Sequence, residues 1–184
     1  NNTNKGINFI YSGQNEVQIS KKINFDIDHT AEIEIEISNL GSETKEISNP
    51  RLFWHIAKDL QNAANIKQLV VYTKAKTHRF KSKKKNETQL IQTEPIWAGM
   101  KDQYFCSIFY GADPKIETVK IQHFDNQSMQ MEINFTKLDL QPGETKSIKL
   151  KGYFGPQDYV ELKKRGAQIH RIVHFGFFHF IGVP

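Results

Sequence analysis

The sequence predicts an all-β protein: a twisted antiparallel β-sandwich carrying a short C-terminal helix. Three observations lead to that class. Apolar side chains recur with period two over long stretches, as half-buried strands require. The apolar runs are short and separated by turn clusters such as Asn39-Leu40-Gly41-Ser42 and Gln141-Pro142-Gly143-Glu144. Helical character is confined to Ala57 to Ile66 and to the stretch after Pro156. At 184 residues, 38% apolar and 11% aromatic, the chain is long enough to bury one core and is read as a single domain over 1–184.

Taken in order, Val17, Ile19, Ile23, Phe25 and Ile27 occupy odd positions, with Gln18, Ser20, Lys22, Asn24 and Asp26 between them. This is one long strand or a strand pair. Ala31 to Ile37 repeats the alternation with Glu on the wet side. Glu favours helix, but a helix would spread the isoleucines over both faces, so strand wins. Glu46 to Trp54 reads as a strand interrupted at Pro50, which implies an edge or a bulge. Gln68 to Thr73 is a short strand.

Lys74, Lys76, Arg79, Lys81, Lys83, Lys84 and Lys85 put seven cations into twelve residues around a single Phe80. An exposed loop or hairpin tip is expected. It is either solvated surface or a contact for an acidic partner or anionic lipid headgroups. Its few aromatics argue against single-stranded nucleic acid, which needs stacking platforms between the charges.

Past Pro95, large side chains from Tyr104 to Tyr110 fall on both parities, the composition of a strand covered on both faces. Trp97, Tyr104, Phe105, Ile108 and Phe109 are therefore expected in the core. Val119-Lys120-Ile121, Met129 to Phe135 and Thr145 to Phe154 complete the strands, with Asp125-Asn126 and Gln141 to Glu144 as turns. Gly155 ends the last strand, and Pro156 is placed to open a helix over 156–165 that Gly166 stops. Asp158 and Glu161 near its start, and Lys163, Lys164 and Arg165 near its end, complement the helix dipole. Val160 and Leu162 are its candidates to touch the sandwich.

The segment 169–184 is dense in apolar residues at helical spacing, with His170, Arg171, His174 and His179 mainly on the other side. Two readings stand: a helix lying on a membrane surface, or a docked element closing the core. Phe175, Phe177, Phe178, Phe180 and Ile181 are the candidates to approach a membrane. No run reaches the roughly 18 apolar residues of a membrane span. No signal peptide opens the sequence, so the chain is expected to be an excised or processed piece.

Catalytic signatures are absent. There is no Gly-x-Ser-x-Gly, Walker loop or Cys-x-x-Cys. The lone Cys106 sits in an apolar run and reads as a buried, inert thiol. His170 and His174 have the spacing of a zinc pair, but Arg171 between them opposes a cation, and no metal or other cofactor is expected. His55, His123, Glu94 and Asp102 are the right types for acid–base work on a sugar, with nothing in their spacing to bring them together. The net charge of +5 does not choose among lipid, nucleic acid and acidic protein.

Several motifs occur in a fixed order: Gly13-Gln14-Asn15-Glu16-Val17-Gln18, Trp97-Ala98-Gly99-Met100 with Gln103-Tyr104-Phe105, Gln141-Pro142-Gly143-Glu144-Thr145, Gly155-Pro156, and Phe175-Gly176-Phe177-Phe178. In that order they resemble the large periplasmic domain of the YidC membrane-protein insertases, of the Oxa/Alb family, over roughly Gly13 to Pro184. The sequence departs from the family pattern in a short middle region and in Phe177, where Trp is common. The resemblance implies a supersandwich similar to galactose mutarotases, on the periplasmic face of the bacterial inner membrane. It also implies a non-catalytic binding or spacing module, with Trp97, Gln103, Tyr104, Phe105, Gly155, Pro156 and Gly176 as structural motif positions. The partners it implies are the Sec translocon with its SecDF subunits, and substrate membrane proteins through the full-length insertase; an anionic lipid surface is a further candidate contact. The competing class is a carbohydrate-binding or aldose-epimerase-like sandwich.

Overall fold

The computed structural model describes residues 5–13, 15–56, 68–81, 87–124 and 128–173. Among the described residues fourteen strands run in chain order: β1 (Lys5–Ser12), β2 (Val17–Phe25), β3 (Thr30–Asn39), β4 (Lys45–Ile47), β5 (Arg51–Ile56), β6 (Gln68–Thr73), β7 (Thr77–Lys81), β8 (Thr88–Ile91), β9 (Pro95–Lys101), β10 (Phe105–Asp113), β11 (Ile116–His123), β12 (Met129–Phe135), β13 (Leu138–Leu140) and β14 (Thr145–Pro156). A helix α1 (Tyr159–Lys164) and a 3-10 turn (Ile169–Ile172) follow. All strand pairs are antiparallel.

An eight-stranded sheet in the order β1-β2-β3-β14-β10-β9-β6-β7 faces a four-stranded sheet, β5-β12-β11-β8, and a small pair, β13-β4. Because side chains alternate along a strand, the large sheet has two apolar faces. Its inner face supplies Ile33, Ile37, Leu69, Val71, Phe109 and Leu150 to the main core. There they meet Val119, Ile121, Met131, Ile133 and Phe135 of the smaller sheet. Its outer face carries a second cluster, Val70, Tyr72, Trp97, Cys106, Ile108 and Tyr153, covered by Leu162, Ile169 and Ile172 of the C-terminal segment. The molecule therefore has three layers. The C-terminal segment closes the core as far as Val173, as one of the two sequence readings held; residues 174–184, with the membrane-approach candidates and Gly176, lie outside the described residues.

Several expectations need correction. Pro50 does not interrupt one strand: it separates β4 and β5, which pair with different sheets, β13 and β12. The basic stretch is not all loop, since Thr77–Lys81 forms strand β7, laddered to β6 with Phe80 buried. Tyr104 and Phe105 are 64% and 58% exposed. Phe105 pairs with Pro156 at the very start of β10, outside the area that either layer covers. Phe25 and Ile27 are exposed as well, where β2 runs out into its hairpin. Pro156 closes β14 instead of opening a helix. Asp158 is the N-cap, its carboxylate accepting from the N–H groups of Val160 and Glu161.

In α1, Leu162 is buried and Val160 exposed. Gly166, at φ +76°, stops the helix as expected. Strands β1, β8, β9 and β13 were not expected from the sequence. The stretches Ala57 to Ile66 and Asp125-Asn126 lie outside the described residues.

The exposure pattern gives a paired prediction. Phe109→Ala should lower stability by about 3–5 kcal/mol, because it opens a cavity in the main core. Phe105→Ala should cost less than about 1 kcal/mol, as an exposed substitution. Urea midpoints of the two variants measure the contrast, and equal shifts would contradict the assignment of faces.

Candidate functional site: the seam that holds the C-terminal segment

Five of the motif positions, Gln103, Tyr104, Phe105, Gly155 and Pro156, gather at one place, the seam between the β9–β10 turn and the exit from β14 into α1. The Asp102 carboxylate accepts from the backbone N–H groups of Tyr104 and Phe105, both at 2.8 Å, and fixes the turn. Gln157 then ties the turn to the end of β14. Its backbone N–H donates to the Tyr104 carbonyl at 2.8 Å. Its side-chain amide donates to the Asp102 carbonyl at 2.9 Å, and its Oε1 accepts from Lys101 Nζ at 3.2 Å. Tyr104 and Phe105 thus serve through their main chain, which is why their rings can stay in water. Gln103 is exposed at the tip. Gly155 is required by close approach: a Cβ there would stand 2.8 Å from the Tyr153 hydroxyl and 2.9 Å from His29. The freed space lets the Tyr153 hydroxyl donate to the Pro156 carbonyl at 2.9 Å.

Beyond the seam, α1 and the 3-10 turn lie on the outer face. Trp97 is fully buried and stacks on Tyr72, with ring centroids 5.6 Å apart. The Tyr72 hydroxyl and the Gln168 side chain are hydrogen-bonded at 2.9 Å, and the Arg171 guanidinium lies 5.3 Å from the Tyr72 ring centroid. Arg79, expected as a free surface cation, is half-buried and turned toward this segment. Its guanidinium donates to the carbonyls of Ile172 at 3.1 Å and Arg171 at 2.7 Å. Those carbonyls end the 3-10 turn, and a forked cation suits them. Burial lowers the pKa of Arg79, and burial together with the nearby Arg79 charge lowers that of Lys101. At the other end of α1, Arg165 donates to the Asp28 carboxylate at 2.6 Å and to the Asp28 carbonyl at 2.8 Å, pinning the helix to the β2–β3 hairpin.

Of the other basic candidates, Lys74 is paired with Glu94 at 2.9 Å, while Lys76 and Lys81 are exposed. Lys83, Lys84 and Lys85 lie outside the described residues. The histidines do not assemble a site. His55 and His123 lie toward one end of the four-stranded sheet, Glu94 follows β8 at the opposite end, and Asp102 belongs to the other sheet. Among the described residues no three His, Cys, Asp or Glu side chains group to hold a metal. His170 packs edge-on to Tyr159, and His174 lies outside the described residues. Burial pushes the Cys106 thiol up to about 12, so it is protonated and unreactive at neutral pH. Among the described residues no helix is long and apolar enough to cross a membrane. Gln157 and Asp102 are the seam residues that no motif reading marked as structural.

A family model described as "YidC periplasmic domain" matches residues 1–184. A protein of Geobacter sulfurreducens named membrane protein insertase YidC is 22% identical over 98% of this chain and 34% of its own length. One of the same name from Geobacter metallireducens is 32% identical over 49% of this chain and 17% of its own length. The chain therefore spans about a third or less of these relatives. Among solved structures, the Slr1438 protein of Synechocystis superposes with a TM-score of 0.60 at 11% identity, over 83% of this chain and 62% of that one. A putative aldose 1-epimerase of Escherichia coli superposes at 0.56 and 11% identity, over 85% and 67%. At such identities the likeness is one of fold: the supersandwich shared with aldose epimerases.

Two predictions come from the seam. Arg79→Ala should lower the urea midpoint, by about 1–2 kcal/mol in stability, and Arg79→Lys should not restore it, because an ammonium cannot span two carbonyls as a fork does. The second concerns acid. The Asp28 carboxyl is held down from 3.8 to about 2, chiefly by the Arg165 hydrogen bond and then by the Thr30 hydroxyl. A folded-state pKa below the unfolded one gives stability that is complete above 3.8 and disappears as pH falls toward about 2. Asp28→Asn should flatten that part of the stability–pH curve, and an unchanged curve would show the pair to be inconsequential.

Proposed function

The chain belongs to the YidC periplasmic domain family, and from that premise we propose that it is the non-catalytic periplasmic module of a membrane-protein insertase. It binds and spaces translocon partners while inner-membrane proteins are inserted and folded. The observation that supports this most is the whole-chain family match, on a sandwich whose outer face is occupied by its own C-terminal segment. In this reading the sandwich faces the periplasm beside the inner membrane. The seam sets the direction in which residues 174–184 leave it, with Phe175, Phe177, Phe178, Phe180 and Ile181 meeting the bilayer interface. Burying each Phe is worth roughly 1.5–3 kcal/mol, which favours such a cover over water. Exposed Lys76 and Lys81, continued by Lys83, Lys84 and Lys85, offer the contact for anionic headgroups or for an acidic surface of the Sec translocon and SecDF.

The separated positions of His55, His123, Glu94 and Asp102 support a module without turnover, although the fold is shared with an aldose epimerase. Mutarotation of common aldoses should proceed at the buffer rate with the purified chain added. Turnover abolished by His55→Ala or His123→Ala would overturn the proposal. Its positive arm is photocrosslinking from position 76 or 81 in the full-length insertase. Adducts with Sec or SecDF subunits or with lipid are expected, and their complete absence would remove the contact surface.

A further inference from the structure

The two edges of the large sheet are built differently. Strand β7 is short and carries Arg79 and Lys81, which blunt an edge against pairing. Strand β1 spans eight residues, and its Gly6–Ser12 stretch contains no charge and no proline. Ile7, Phe9, Ile10 and Tyr11 are all about half or more exposed. Register places Ile7 beside Ile23 and Tyr11 beside Ile19. Since Ile19 and Ile23 pack partly against the main core, Ile7, Phe9 and Tyr11 carry the inner apolar face outward to the last strand. Among the described residues nothing pairs with the outer side of β1, and an apolar edge uncharged from Gly6 to Ser12 is what folded proteins normally suppress.

We propose that β1 is a docking edge for an extended apolar segment of another polypeptide, which adds to the large sheet as a further strand. Main-chain hydrogen bonds to the outer side of β1 supply the affinity. Alternate side chains of the guest continue the Ile7, Phe9, Tyr11 row. Lys21, 6.0 Å from the Phe9 ring centroid, and Lys22, opposite Asn8, disfavour a basic guest.

A second copy of the chain fits less well. The edge is about 27 Å long and one strand wide, a strip well short of the roughly 800 Å² per partner that a stable dimer buries. The chain's own C-terminal segment is poorly placed, because its last described residues are held by Arg79 of β7. That is the opposite edge of an eight-stranded sheet, about 34 Å away at ordinary strand spacing. The inference rests on the proposed function for the source of such segments, the insertase's unfolded clients.

The probe is a fluorescein-labelled peptide of alternating Ile and Thr, as long as β1, titrated into the chain by anisotropy. Saturable binding is expected, with slowed amide exchange over residues 6–12. Phe9→Lys should weaken it by about tenfold or more, as an inward charge does at an edge. Ile10→Lys, on the opposite face of β1, is the second variant should Phe9→Lys disturb pairing with β2. Ile27→Lys, at a still more exposed apolar site off this edge, should leave binding unchanged. A peptide of the same composition interrupted by proline should not bind. Absent binding, binding indifferent to both β1 variants, or sedimentation showing that β1 pairs with a second copy would each overturn the proposal. These outcomes leave the crosslinking test untouched, so failure here is separable from failure of the insertase-module reading.

Discussion

A sheet that is apolar on both faces has to be covered twice, and the rest of this structure follows from that requirement. Strand β10 shows it within a few residues. Phe109 points into the main core, while Cys106, Ile108 and Tyr110 point to the other side. The smaller sheet covers the first face. Among the described residues the chain that follows β14 covers the second, and its described part is short: one helix of six residues and a 3-10 turn of four. A helix that short has little stability of its own in water. Its order comes from the Asp158 cap, from Leu162, Ile169 and Ile172 in the outer cluster, and from clamps at either end, Arg165 on Asp28 and Arg79 on the last carbonyls.

This arrangement links packing to the proposed function. A module that spaces partners, as proposed for this chain, has to transmit a fixed direction from its body. The motif residues Tyr104, Phe105, Gly155 and Pro156 form part of a joint, in which Gln157 holds the β9–β10 turn against the end of β14 and Gly155 permits the close approach. The likeness to a putative aldose 1-epimerase is one of fold, and a fold does not carry an activity by itself.

Much of the fold was legible because period two is a strong signal where one face is buried. Strand β3 and the two-faced β10 could be read directly, and so could the Gln141 to Glu144 turn and the stop at Gly166. The misreadings have physical causes. Strand β7 looked like a basic loop because its cation Arg79 is consumed by carbonyls distant in sequence, which no local pattern reveals. Phe105 looked like core because an apolar run does not show where cover ends. Pro156 fits a first helical turn as well as it fits the last residue of a strand, so the residue type alone does not choose between them. The β1 edge was passed over because its apolar residues fall on both parities without burial. The joint could be read only as separate motifs, since Lys101, Asp102 and Gln157 meet through tertiary contacts.

The central claim is that the C-terminal segment is part of the sandwich's cooperative core and not an appended tail. Native-state hydrogen exchange of the chain tests this most directly. The amides of α1 and of the 3-10 turn should open at nearly the same free energy as those of β9 and β10. Rapid exchange over residues 159–173 with β9 and β10 still protected would contradict it. The segment would then be a loosely held tether, and the seam could not set its direction.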